Sequence, residues 1–433
     1  MRLVFAVVLG LAALGAAQAD KAPETFDAVW TIVRDSHFDP AFDRARWDRV
    51  GEELRPKAAA ARTPGELRAV LADMLGRLGL SHFAVIPGSA DSPGTTGDLG
   101  AQPGFDVRLI DGQLVVTSVD PDSGAFADGI RPGWIVESIG TTSTASLLAG
   151  VAGTTPPRIA QVEAWRLAIM RLRGPWNSSV DITFVDGAGA AVKKSIVRRP
   201  EKGEPVTVGS LPTMFVRVTS SMANTPAGAK AGVIGFNVWM TAVDRDFQAA
   251  IDRFRSADGM VVDLRGNPGG LAAMIMGLSG HFMSERLTLG VMTTKQSPLP
   301  LKFNANPRLV NAAGERVDPY KGPLAILVDG LTGSASECFA GGMQSLGRAR
   351  VFGQTSMGQA LPALFDKLPN GDVLIHAWGD FVTGTGVRIE GRGVVPDEPV
   401  AVTRAALLAG RDLTLDAALA WVDTVRKESR NIH

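Results

Sequence analysis

The sequence predicts an α/β fold with a helical N-terminal segment and a β-rich region inserted ahead of the main core. Three observations predict it. Amphipathic helical periodicity fills residues 24–80, where Phe26, Val29, Trp30 and Val33 share one face and Leu67, Val70, Leu71 and Leu75 another. Residues 101–200 change to short alternating runs separated by glycine turns. From residue 206 onward, nearly continuous apolar runs alternate with amphipathic ones, the pattern of strands covered on both faces.

The N-terminus comes first in chain order. Arg2 precedes an apolar run from Leu3 to Leu14 and an exit of small residues, Ala17-Gln18-Ala19. This is the layout of a secretory signal peptide, so residues 1–19 are expected to be removed, leaving a mature chain from Asp20 that works outside the cytoplasm. The run is shorter than the roughly 20 residues of a spanning helix, and no stable membrane span is expected. Asp43 and Thr63-Pro64 read as helix starts over residues 20–88, and residues 88–98 as a turn-rich linker.

In the β-rich region, Phe105–Leu109, Asp111-Gly112 and Leu114–Val116 form a hairpin signature. A short helix follows over Ser123–Ile130, then a turn and strand over Pro132–Gly140. Within residues 206–433, strands are expected at Gly232–Phe236, Gly259–Arg265 and Leu324–Val328, with a helix over Asp244–Ala257. Sites in such sheets lie beyond the carboxyl ends of strands, which directs attention to two turns.

The first turn is Asp263-Leu264-Arg265-Gly266-Asn267-Pro268-Gly269-Gly270. Its glycines allow close backbone approach, and the N–H of Gly269 or Gly270 can aim at a developing oxyanion. The second is Asp329-Gly330-Leu331-Thr332-Gly333-Ser334-Ala335-Ser336-Glu337, with a helix expected from Ser336 to Leu346. Ser334 stands at the helix start, where free N–H groups favour negative charge. Ser334 or Ser336 could equally serve as an N-cap.

Lys+Arg and Asp+Glu both number 44, so a zero net charge gives no general attraction to nucleic acid or anionic lipid. The single cysteine, Cys338, excludes an intramolecular disulfide and reads as a packed small hydrophobe. No metal-ligand spacing occurs, and no cofactor is expected.

The motifs Asp263-Leu264-Arg265-x-Asn267-x-Gly269-Gly270, Gly333-Ser334-Ala335-Ser336-Glu337-x-Phe339-Ala340-Gly341, Gly353-x-Thr355-x-x-Gly358 and Gly393-Val394-x-Pro396-Asp397 occur in this order. Together they resemble the carboxy-terminal processing and tricorn-core proteases. The resemblance implies a crotonase-like (ClpP-like) protease core over residues 206–433 with a serine nucleophile at Ser334. Residues 101–200 resemble a PDZ domain of bacterial proteases, whose carboxylate-binding loop would fall at Gly104 and Phe105. The processing branch carries a lysine after Thr-x-x-Gly, but this chain has Gln359, which has no useful basicity. The tricorn-like branch uses a Ser-His pair and a distant Glu, matched here by Ser81-His82 and Glu390.

The resemblance therefore implies an exported serine endopeptidase acting on peptides or unfolded proteins through Ser334, His82, Ser81 and Glu390. Ala335 with Gly269 or Gly270 would form the oxyanion hole, and sequence does not choose between the glycines. His82 is expected to titrate near its ordinary value, with an acid limb of activity at about 6–7. The inserted region supplies no tetrad member, so its loss is expected to hurt long substrates more than small esters. The alternative is a non-catalytic binding protein on the same fold, similar to the repeats of interphotoreceptor retinoid-binding protein. Sequence leaves the oligomeric state open.

Overall fold

The computed structural model describes residues 21–88, 100–151, 153, 157–209, 213–297 and 299–431. The expected signal peptide and most of the expected linker lie outside the described residues.

Three helices open the described residues: α1 (Ala22–Ser36), α2 (Arg44–Ala59) and α3 (Pro64–Gly76). Asp43 and Thr63 cap the second and third, each side chain accepting a backbone N–H three residues on. Phe26, Val29, Val33, Leu54, Leu67, Leu71 and Met74 are fully enclosed between them. Strand β1 (Ala84–Ile86) follows directly and leaves this unit.

The inserted region is a six-stranded antiparallel sheet with its own core. Its elements are β2 (Phe105–Ile110), β3 (Gln113–Val119), α4 (Gly124–Ala127), β4 (Ile135–Ile139), β5 (Thr142–Ser143), α5 (Thr144–Ala149), α6 (Pro157–Leu172), β6 (Ser179–Val185) and β7 (Ala191–Val197). The main order is β2-β3-β4-β6-β7, with β5 added on β4. The hairpin turns at Asp111-Gly112, both at positive φ (49° and 76°), as a tight two-residue connection requires. Helix α6 covers the sheet, burying Ala164, Ala168 and Leu172 against Val107, Val116 and Phe184.

After β8 (Glu204–Val206) and β9 (Met214–Val216), the core begins with β10 (Val218–Asn224) and β11 (Lys230–Phe236). There follow α7 (Val243–Phe254), β12 (Gly259–Asp263), α8 (Met274–Ser279), β13 (Thr288–Thr294), β14 (Leu301–Asn304), β15 (Leu324–Val328) and α9 (Ala335–Ser345). The chain ends through β16 (Arg350–Gly353), β17 (Ala363–Lys367), β18 (Val373–Ala377), β19 (Gly379–Thr383), β20 (Glu398–Pro399), α10 (Arg404–Leu408) and α11 (Leu413–Asn431). The central sheet has the order β10-β11-β12-β15-β16-β20 and is parallel except for β10. All five residues of β15 are buried, each side chain contributing roughly 1.5–3 kcal/mol where it is large and apolar. Two clusters sandwich the sheet, one including Phe247, Ile251 and Phe339, the other Leu327, Ala418 and Leu419.

Several expected elements end early, among them a strand and a helix of the core. Strand β12 stops at Asp263 because its carboxylate turns back onto Arg265, accepting from the backbone N–H at 3.1 Å and from Nε at 2.9 Å. Helix α7 stops at Phe254 rather than Ala257, where the Ala257 N–H turns to the Phe254 carbonyl.

Strand β1 pairs with β18 and β18 with β17, a small sheet that joins the N-terminal helices to the core. This pairing carries the segment before β1, Ser81-His82, onto the core beside Glu390. An Arg68–Asp372 ion pair, bidentate at 2.7 and 2.9 Å, fastens α3 to the β17–β18 turn.

Candidate active site

Ser334 joins β15 to α9 at φ 51° and ψ −119°, a backbone conformation disfavoured for a residue with a Cβ. Its partial exposure contrasts with Ser336, which is fully buried and accepts the Trp239 indole N–H at 2.8 Å. The structure thus separates the two serines: Ser336 belongs to the packing, and Ser334 lies at the surface of the strand–helix turn.

The two glycine-bearing turns are pinned to each other. Asp329 Oδ1 accepts from the backbone N–H groups of Gly266 (2.8 Å) and Leu331 (3.0 Å). Thr332 Oγ1 donates to the Leu264 carbonyl at 2.9 Å, and the Gly333 N–H donates to the Asn267 carbonyl at 3.0 Å. A Cβ added to Gly269 would lie 2.5 Å from Ser334 Cβ and 2.9 Å from the Ala335 nitrogen, so only glycine permits this approach. The Gly269 N–H is already held by Asn267 Oδ1 at 3.0 Å. No partner is found for the N–H of Gly270 or Ala335 among the described residues.

His82 also holds a positive φ, 57°, and is partly buried. Ser81 Oγ lies 2.8 Å from His82 Nδ1 and donates to Glu390 Oε2 at 2.9 Å. Glu390 is buried and also accepts the N–H groups of Ser81 (3.0 Å) and Ala360 (2.9 Å). Surrounding protein, through loss of hydration, pushes the His82 imidazole down to about 4, well below the expected range.

Ser334 reaches this cluster through one dipeptide. Its N–H donates to the Gln359 carbonyl at 2.9 Å, and the next residue, Ala360, binds Glu390. No direct hydrogen bond joins Ser334 Oγ to His82 among the described residues. Gln359 works through its backbone, its N–H donating to Glu337 Oε2 at 2.9 Å.

Glu337 is the residue that sequence reading left unassigned. It is completely buried and accepts from the N–H groups of Ser334 (3.1 Å), Gly358 (2.6 Å) and Gln359, and from Ser356 Oγ. Burial pushes its carboxyl up to about 7 against these four donors. The signal was its place three residues into the helix, the position from which a Glu reaches back to the cap.

The remaining predicted residues lie elsewhere. Phe105 is buried, with its ring 5.8 Å from Phe184, so only its backbone could meet a peptide. Gly104 sits at φ 87°, its carbonyl accepting the Asp120 N–H. Cys338 is buried, and burial raises its thiol far above the ordinary value. His281 is in the core, and His376 is held between Ser36 Oγ (3.0 Å) and Asp366 Oδ2 (2.8 Å).

Residues 18–76 match the model of the tricorn protease C1 domain. Over residues 230–400 the chain matches peptidase family S41. Members are serine-type hydrolases. A carboxyl-terminal-processing protease of Picosynechococcus sp. is 24% identical over 403 residues, 90% of this chain and 86% of that one. One from Synechocystis sp. is 26% identical over 257 residues, 58% of this chain. This chain spans about half (55%) of the length of that second relative. The solved photosystem II D1 C-terminal processing protease has a similar fold, with a TM-score of 0.57 at 21% identity, covering 92% of this chain and 98% of that one. Among the described residues, no helix is long and apolar enough to cross a membrane.

Proposed function

We propose that this chain is an exported serine endopeptidase that hydrolyses peptide bonds in unfolded proteins or peptides. Ser334 is the nucleophile, His82 the general base, and Ser81 with Glu390 orient the imidazole. The observation that carries the reading is the bridge of Ser81 Oγ between Glu390 Oε2 and His82 Nδ1. The Ser81 hydroxyl has one proton. If that proton goes to the Glu390 carboxylate, Ser81 Oγ accepts from His82 Nδ1–H, and Nε2 is left as the unprotonated acceptor.

Ser334 Oγ attacks the scissile carbonyl as its proton passes to His82 Nε2. The tetrahedral oxyanion forms beside the free N–H groups of Ala335 and Gly270, and the engaged Gly269 N–H is the less suited of the two glycines. His82 then returns the proton to the leaving amine, and water releases the acyl group by the same route. Residues 101–200 serve as a PDZ-like module on a crotonase-like core, which fits a chain substrate. Residues 1–19 direct export, and N-terminal sequencing of the mature protein is expected to begin at Asp20.

The test is reaction with a fluorophosphonate probe. We expect one label on the parent at Ser334 and none on Ser334→Ala. A folded parent that stays unlabelled and cleaves no peptide would favour the non-catalytic binding protein instead.

A further inference from the structure

The inserted region reaches the carboxylate that pins the two catalytic turns through one side chain. Arg108, on β2, sends Nε to Asp329 Oδ2 at 2.9 Å, while its NH1 group holds Asp106 Oδ2 and the Val107 carbonyl. The Arg108 and Asp329 side chains are only 14% and 10% exposed, so water contributes little to balancing either charge. Asp329 is also the carboxylate whose other oxygen holds Gly266 and Leu331, one amide from each turn. Gly266 lies four residues before Gly270, and Leu331 three before Ser334.

We infer that Arg108 is a positioning residue for catalysis: by neutralising buried Asp329 it fixes the turn of Gly270 against the turn of Ser334, so the inserted region builds the active site as well as meeting substrate. This inference rests on the proposed role of Ser334. Oδ1 of Asp329 is held by two backbone N–H donors, whereas Arg108 is the only side chain found on Oδ2 among the described residues. Removing the guanidinium leaves a buried anion without its partner, and the turns must open to admit water or repack to relieve it. Either response shifts the Gly270 N–H relative to Ser334 Oγ, and misplacement of this kind costs roughly 100-fold in rate. Asp106 cannot substitute, since it is a second anion on the same guanidinium.

The experiment compares Arg108→Met, Asp329→Asn and the double variant in the full chain, using a small activated ester that needs no chain-binding surface. Arg108→Met is expected to lower kcat roughly 10- to 100-fold with little change in KM. The double variant should recover most of that loss, because the amide introduced by Asp329→Asn keeps an acceptor for Gly266 and Leu331 without a buried charge. Hydrogen exchange reads the same geometry without turnover: in Arg108→Met, peptides covering residues 264–271 and 329–335 should exchange faster than in the parent. Unchanged exchange there, or unchanged ester turnover in a labelled, active protein, would overturn the inference. A double variant no better than Arg108→Met would overturn the charge-balance cause. An inert, unlabelled parent would instead count against the proposed nucleophile, with the exchange result still deciding for Arg108.

Discussion

The Glu390 carboxylate and the Ser81 hydroxyl meet at 2.9 Å across 309 residues of chain, and Ser81 passes that contact on to His82 at 2.8 Å. The contact is made possible by β1, which pairs with β18 and brings an N-terminal segment onto the core. The helices before β1 therefore lead directly into the candidate site, since the segment that joins them to β1 carries Ser81 and His82.

The pH dependence follows from this enclosure. Since loss of hydration holds His82 down to about 4, its neutral, base-competent form persists well below pH 6. Ester turnover should rise through about pH 4 and be flat by about pH 6. His82→Ala should cost on the order of 10³-fold in kcat in a folded protein. A pH–rate profile with its acid inflection at 6–7 would mean the imidazole is hydrated like a free histidine. Full activity in folded His82→Ala would remove it from the proton path.

What the sequence displayed were the parts whose local chemistry is self-contained. The five apolar residues of Leu324–Val328, the Asp111-Gly112 turn and the capped helices at Asp43 and Thr63 carry their own signals, and they form where periodicity puts them. The long-range assembly was not legible by periodicity. Nothing near Ser81 announces Glu390, and the pairing of the two came only from resemblance. Nothing in the strand around Arg108 announces its partner Asp329, which lies 221 residues away. The choice between Gly269 and Gly270 needed the Asn267 side chain, whose bond to one of them depends on how the turn closes.

Glu337 should matter because both of its carboxyl oxygens accept hydrogen bonds, with or without its proton. In Glu337→Gln an amide nitrogen must face the N–H of Ser334 and Gln359 or those of Gly358 and the Ser356 hydroxyl, a donor against donors. We expect kcat to fall roughly 10- to 100-fold. Stability carries a second signature. The folded carboxyl keeps its proton up to about 7, whereas an unfolded Glu releases it near 4.3. The folded state thus binds more protons between those values, and the contribution of Glu337 to stability decreases as pH rises through them, by on the order of 3 kcal/mol. Urea unfolding from pH 4.5 to 7.5 should show this slope in the parent and lack it in Glu337→Gln. Parallel curves would mean Glu337 ionises in the folded protein as it does unfolded.

Gly269 tests the close approach of the turns. An added methyl would meet Ser334 Cβ at 2.5 Å, and the residue holds φ at 104°. Gly269→Ala should slow phosphonylation of Ser334 by roughly 100-fold or more, the scale of a lost oxyanion donor. Labelling kinetics measured beside near-ultraviolet circular dichroism separate a displaced Ser334 from a collapsed core. Labelling at the parent rate would show that the two turns have slack.

Gln359 occupies the place where the processing branch has lysine, and here its backbone holds the site together. The carbonyl accepts from Ser334 and the N–H donates to Glu337, contacts that any side chain would leave in place. Gln359→Ala should therefore lower ester turnover by roughly tenfold or less, the scale of one neutral hydrogen bond. Gln359→Lys should not restore His82→Ala, because a productive lysine must lose hydration and drop from about 10.4 to act as a base. Glu337 and Glu390, both buried and both bound to the 358–360 segment, would favour the charged ammonium and oppose that drop. The measurement is ester turnover of His82→Ala/Gln359→Lys against His82→Ala alone. Recovery to near the parent rate would mean that Ser334 can work with a base from the Gln359 side, and that His82 is not the group this site is built around.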